Sequence, residues 1–353
     1  MDLRGKYESK LSNIDWYACQ STQRGVIMKV IDMHCDTIGE LFALRQQGKA
    51  GTLRENQLHI DLKRMKESGY MLQNFALFVQ LTKVDDPWER VCRMHELYEE
   101  ELEQNSDLIA PVYCFGDITE NERAGKMSAL LTVEEGAVCK GEIEKLRELY
   151  RFGVRMLTLT WNYPNELGWP NFSRDKSHYV PDTTRGLTER GREFVAEMEA
   201  LGMIPDVSHL SDAGFYDVLE VTKKPFVASH SNARAVCPWV RNMTDDMIRK
   251  LSEHGGVMGL NFCADFLEEV PEGQKNPGTI AAVVRHAKYI ADVGGVDVLG
   301  LGSDFDGIDT HEELPGAQSM ERLWDALKQG GFTEEELDRV FWKNVLRVYG
   351  EVI

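Results

Sequence analysis

The stretch VIDMHCDTIG, residues 30–39, opens as a short apolar run and closes by setting His34 and Asp36 two positions apart. In an extended chain, side chains two residues apart share a face, so both can converge on one point where the run stops. A histidine and an aspartate that converge are ligand types for a metal ion. The run itself reads as a buried strand, and the same design recurs along the chain.

Eight β-rich apolar runs occur in order: KVIDMH, LQNFALFV, SALLTVE, RMLTLT, IPDVSH, PFVASH, GGVMGLNF and VDVLGLGSDF. Longer amphipathic segments alternate with them. LTERGREFVAEMEALG, ending at Gly202, and LSDAGFYDVLEVTKK, with Ser211 or Asp212 as its cap, carry apolar residues at helical spacing. The alternation predicts parallel strands joined by helices, and eight units predict a (β/α)8 TIM-like barrel over residues 28–353. A doubly wound open sheet is the alternative. Residues 1–27 lack periodicity and are expected to be an N-terminal extension. Two long loops, Asn162 to Thr184 and Phe305 to Ala317, are expected on the C-terminal face of the barrel, where active-site loops belong.

The strand ends collect metal-ligand residue types. The first run ends in His34 and Asp36, the third in Glu134, the fifth in His209, the sixth in His230 and the eighth in Asp304. Such a set exceeds what one tetrahedral zinc needs and suits two ions bridged by a carboxylate. No cysteine belongs to it, which points to a catalytic rather than a structural site. Three imidazoles favour Zn²⁺ or another late first-row ion, with Mn²⁺, Co²⁺ and Fe²⁺ left open. Many binuclear barrels recruit a carboxylated lysine on the fourth strand, but here that strand runs into LTLTWNYP. Glu134 is therefore the expected bridge, and Glu135 is expected to face away from it. A hydroxide held between two such ions attacks a polarised carbonyl, so the expected chemistry is metal-assisted hydrolysis.

Composition narrows the partners. With 58 acidic against 40 basic residues, the net charge of -18 disfavours nucleic acid and anionic membrane surfaces, and points to a small-molecule substrate. No apolar stretch reaches the roughly 18 residues of a membrane span, and the N-terminal MDLRGKYESK is too polar for a secretory signal. Seven scattered cysteines without a CxxC suit reduced thiols. A cytoplasmic setting is the expectation.

Six motifs, DMHCDT, TVEEGA, DVSHLSD, ASHSNAR, RNMTDD and GSDFDG, occur in one order along the chain. In this the chain resembles the renal (membrane) dipeptidases, zinc enzymes of the metal-dependent hydrolase superfamily, from about Lys29 onward. The resemblance implies two Zn²⁺ per chain, with His34, Asp36 and Glu134 on one and Glu134, His209 and His230 on the other. It further implies that Asp304 is the acid-base residue and that Arg241, in VRNMTDD, binds substrate. A homodimer is also a family expectation. The chain departs from the mammalian pattern after LTLT, where Trp161 and Asn162 stand in place of a substrate-contacting histidine. Asn162 is expected to supply the replacement hydrogen bond and Trp161 to wall the pocket, with His178 a remote third candidate. Asn242 is expected to start the helix that follows. His59, His95, His254, His286 and His311 are expected to be structural or exposed. The activity implied is hydrolysis of dipeptides, the alternatives being an N-acyl amino acid hydrolase, lactonase or deaminase on the same site, or a non-catalytic metal-dependent binding protein.

Overall fold

A computed structural model describes residues 28–171, 180–270 and 276–353; the expected extension over residues 1–27 and the candidate His178 lie outside them. Among the described residues, nine parallel strands form one sheet: β1 (Val30–Asp32), β2 (Tyr70–Phe78), β3 (Ile109–Pro111), β4 (Met127–Glu134), β5 (Val154–Thr158), β6 (Ile204–Asp206), β7 (Val227–Ala228), β8 (Val257–Leu260) and β9 (Leu299–Leu301). Their order is β2-β1-β9-β8-β7-β6-β5-β4-β3. In addition β2 pairs with β4, from Leu72 opposite Ser128 to Phe78 opposite Glu134, and this closes eight strands into a barrel. Closure excludes the doubly wound alternative.

The unforeseen strand is β3. It pairs only with Met127–Ala129 of β4, below Leu131, where β5 takes over the same edge. Three residues ending in proline are too few to show alternation, which is why the sequence hides it.

Inside the barrel, Ile31, Leu72, Leu130, Met156, Ile204, Val227 and Val257 meet in a fully buried layer. The helix Asn344–Val352 covers it with Val345, Val348 and Tyr349, and the Tyr349 hydroxyl donates to Asn74 Oδ1 at 2.8 Å. Gly300 makes room for that helix: a Cβ there would stand 2.9 Å from Val345 Cγ2. A second, larger apolar layer lies between the barrel and its surrounding helices. The predicted caps hold, with Ser211 accepting from Gly214 N–H and Gly202 closing Glu189–Leu201 at φ 80°. The polar ends of the strands are thereby left as the one face free to build a site.

Candidate metal centre

Two buried aspartates end the strands that carry ligands. Asp32 accepts the backbone N–H of His34 and of Ser303, and Asp206 that of Ser208 and of Ser229. Each carboxylate takes backbone donors at the end of its strand, so the regular ladder is interrupted there, although after β1 sheet pairing resumes for one residue, with Cys35 bridging Phe305 and accepting Ala76 N–H. This corrects one expectation. His34 and Asp36 do not sit on a regular strand: β1 stops at Asp32, the two residues flank the isolated Cys35–Phe305 bridge, and Asp36 is the residue that opens the helix Thr37–Gln46. Similarly His209, His230 and Asp304 lie just beyond β6, β7 and β9. His209 and Asp304 have φ of 70° and 63°, a left-handed backbone rare for such residues and often found at functional sites.

The donors nonetheless converge. His34 Nε2 lies 3.5 Å from Asp36 Oδ2, 3.4 Å from Glu134 Oε2 and 3.8 Å from Asp304 Oδ1. Glu134 Oε1 lies 2.9 Å from His209 Nε2 and 3.6 Å from His230 Nε2. Three overlapping groups have ligand atoms within 4.8 Å of one another: His34, Asp36 and Glu134; Glu134, His209 and His230; and His34, His230 and Asp304. Each is buried, and the two oxygens of Glu134 face different histidines. Gly307 is required beside them, because a Cβ there would fall 2.1 Å from Asp36 Oδ2 and 2.7 Å from Asp304 Oδ1.

The donor set fits divalent cations. Among the described residues, buried His34 Nε2 and Asp36 Oδ1 have no hydrogen-bond partner. His209 Nε2 and His230 Nε2 stand 3.0 Å apart, while Nδ1 of each already faces a hydrogen-bond partner, Asn162 Oδ1 at 2.8 Å and Ser229 Oγ at 2.7 Å. Two lone pairs so placed repel unless a cation lies between them and the carboxylates. Burial pushes Asp304 up to about 7 and Asp36 up to about 6, each with repulsion from Glu134 added. Burial and the Arg241 charge push His209 down to about 4. Burial also holds His230 well below its ordinary value. Burial opposes ionisation of Glu134 too, yet His34 and His209 pull it well below the carboxylate range. Two imidazoles are held neutral while, against burial, the carboxylates around His34 push that ring well above its ordinary value, so the cluster draws in positive charge of the kind bound cations supply.

The remaining candidates surround this cluster. Arg241 is buried, with Nη2 donating to His230 O at 3.3 Å and Nε without a partner among the described residues. Asn242 does not start the next helix, which runs Asp245–Glu253 with Thr244 as its cap. Instead its amide donates to Cys237 O and Phe266 O, fixing the loop that carries Arg241. The Trp161 ring is tilted against Phe78 at 4.9 Å between centroids and lies 5.7 Å from Tyr163 and 6.1 Å from His209. Asn162 turns its oxygen to His209. Glu135, at φ 102°, accepts from Ala137 N–H, Trp161 N–H and the Asn165 amide, and so fastens the Trp161 loop to the end of β4. A cleft of about 900 Å³ opens between Cys263, Asp265, Asn276, Thr310 and Glu312.

Sequence reasoning missed the residues behind the ligands. Asp206 and Ser229 carried only one signal, an aspartate or serine one to three residues ahead of a histidine, and Asn261, whose amide donates to Asp304 Oδ2 at 2.9 Å, carried none.

A family model for membrane dipeptidase (peptidase family M19) matches residues 24–353. An uncharacterised dipeptidase of Schizosaccharomyces pombe is 31% identical over 342 residues, 91% of this chain and 80% of that protein. Among solved structures, the metallopeptidase called dipeptidase AC superposes with a TM-score of 0.83 at 27% identity, over 93% of this chain and 99% of that one. A metallopeptidase from Rhodobacter sphaeroides, bound to a phosphinate mimic of the dipeptide L-Ala-D-Ala, gives 0.81 at 26% identity, over 93% and 100%.

Proposed function

The chain belongs to the membrane dipeptidase family of metallopeptidases, and from that premise we propose that it hydrolyses free dipeptides at a centre of two late first-row ions, zinc foremost. Glu134 carries this reading: Oε2 faces His34 and Oε1 faces His209 and His230, as a carboxylate shared by two ions must. In it His34 and Asp36 complete one ligand set, and His209 and His230 the other. When bound, the ions supply Lewis-acid polarisation of the peptide carbonyl and acidify the attacking water.

The chain's own residues do the rest. Asp304, beside His34 and held by Asn261, takes the proton of the attacking water and delivers it to the leaving amine. Arg241 presents a buried Nε without a partner among the described residues, which suits a substrate carboxylate or a developing oxyanion. Trp161, with Phe78 and Tyr163, walls the site beside His209 and keeps water from it.

A panel of dipeptides, L,D pairs included because of the ligand bound by the Rhodobacter relative, tests the reading. Zinc-reconstituted protein is expected to cleave free dipeptides and to leave N-acyl amino acids and lactones intact. Turnover confined to the latter two classes contradicts it.

A further inference from the structure

Behind His230 runs a chain of hydrogen bonds that no ligand role explains. Ser229 Oγ lies 2.6 Å from Asp206 Oδ2 and 2.7 Å from His230 Nδ1. Asp206 is fully buried and accepts two further fixed donors at Oδ1, Ser208 N–H at 3.0 Å and Ser229 N–H at 2.8 Å. Thr158 donates its hydroxyl to Oδ2 at 2.6 Å. Four donors surround the two Asp206 oxygens and the Ser229 hydroxyl is one of them, so the single Ser229 proton points to Asp206. The Ser229 oxygen is then left to accept, from the Ser208 hydroxyl at 3.3 Å and, at the shorter 2.7 Å, from a proton on His230 Nδ1. The lone pair of His230 is thereby placed on Nε2, the atom that faces Glu134 and His209.

We propose that Asp206 and Ser229 are positioning residues that set His230 as its Nδ1–H tautomer, the hydroxyl relaying the polarity of a carboxylate that does not touch the ring. The proposal rests on the metal-centre reading above. His209 receives the same instruction directly, from Asn162 Oδ1. In the general logic of such sites, the partner of one ring nitrogen decides what the other can do.

The relay makes a prediction that mere structural support does not. In Asp206→Asn the two backbone N–H groups still need an oxygen, so the amide nitrogen must take the place of Oδ2. Its two hydrogens then claim the Thr158 and Ser229 oxygens, and the Ser229 proton is turned toward His230 Nδ1. That stabilises the Nε2–H tautomer, which cannot ligate, as an aspartate-to-asparagine exchange behind a histidine is known to do elsewhere. Ser229→Ala cuts the relay and leaves the ring without instruction. A loss must therefore appear in Asp206→Asn and be partly cancelled in the double variant Asp206→Asn/Ser229→Ala.

Two readouts are used: ring-nitrogen NMR of histidine-labelled metal-free protein, with His230→Gln identifying the signals, and zinc affinity by chelator competition. We expect Nδ1–H for His230 in the wild type and Nε2–H in Asp206→Asn. Affinity of the weaker-held zinc should drop about 10 to 100-fold or more in Asp206→Asn, and the double variant should bind more tightly than Asp206→Asn. A wild-type His230 in the Nε2–H form overturns the proposal without any variant, as does a double variant no better than Asp206→Asn. Wild-type protein that takes up no zinc refutes the metal centre instead, a result separate from either.

Discussion

Asp304 and Asp306 lie two residues apart on one loop and are committed to different partners. Asp304 directs Oδ1 to within 3.8 Å of His34 Nε2, whereas Asp306 accepts the Thr37 hydroxyl at 2.6 Å and the His59 N–H at 2.6 Å. Asp306 thus ties the last loop to the first helix and to the His59 segment, and has no oxygen left for chemistry.

The pair should separate in mutagenesis. Asp304→Asn removes the proton acceptor, and turnover is expected to fall by roughly 10² to 10⁴-fold with metal content unchanged. Asp306→Asn weakens the two bonds and is expected to cost about 1 to 3 kcal/mol of stability while sparing turnover per folded molecule. Parallel assays of turnover, bound metal and unfolding midpoint check both, and the reverse pattern would reassign the acid-base role.

Arg241 gives the second prediction. A charge-assisted hydrogen bond to substrate is worth about 1.5 to 3 kcal/mol, so Arg241→Ala should lower kcat/KM on free dipeptides about 10 to 150-fold. On a C-terminally amidated dipeptide, a carboxylate clamp predicts little further loss, and an oxyanion contact predicts the same loss on both substrates. No effect on any dipeptide removes Arg241 from the site.

His286 yields a pH dependence remote from catalysis. Its Nδ1 accepts the Ala233 N–H at 3.1 Å and its Nε2–H donates to Leu267 O at 2.9 Å, so the buried ring is neutral by construction. Burial pushes it down to about 3 from the ordinary 6.5. Above the unfolded value both states are neutral and this stability is fully present. As pH falls from about 6.5 toward 3, the unfolded chain takes up a proton that the folded one refuses, and stability is lost at up to about 1.4 kcal/mol per pH unit. Urea titrations between about pH 6 and 4 should show His286→Gln losing about one proton of this slope. Equal slopes in the two proteins would show that His286 is not held neutral.

Much of this architecture was legible in the sequence. The alternation that begins at VIDMH and recurs through GLGSDF foretold the barrel, and His34, Asp36, Glu134, His209 and His230 do meet at one end of it. Hidden from it was how they meet. Period-two spacing puts His34 and Asp36 on one strand, whereas the regular strand stops at Asp32, which takes the His34 N–H, and Asp36 follows the isolated Cys35–Phe305 bridge as the residue that opens a helix. β3 escaped notice because its one partner, Met127–Ala129, lies more than a dozen residues away and its own pattern is three residues long. The bonds of Asp206 to Ser229 and of Asn261 to Asp304 join segments far apart in the chain, which no local pattern encodes.

The central claim is that Glu134 serves two ions at once, and a zinc titration of metal-free protein, with bound metal and dipeptide turnover read on the same samples, tests it most directly. Turnover is expected to reach its plateau at about two equivalents, with Glu134→Gln weakening both sites and His209→Ala chiefly one. Full turnover at one equivalent, with no second ion bound at saturation, would contradict it.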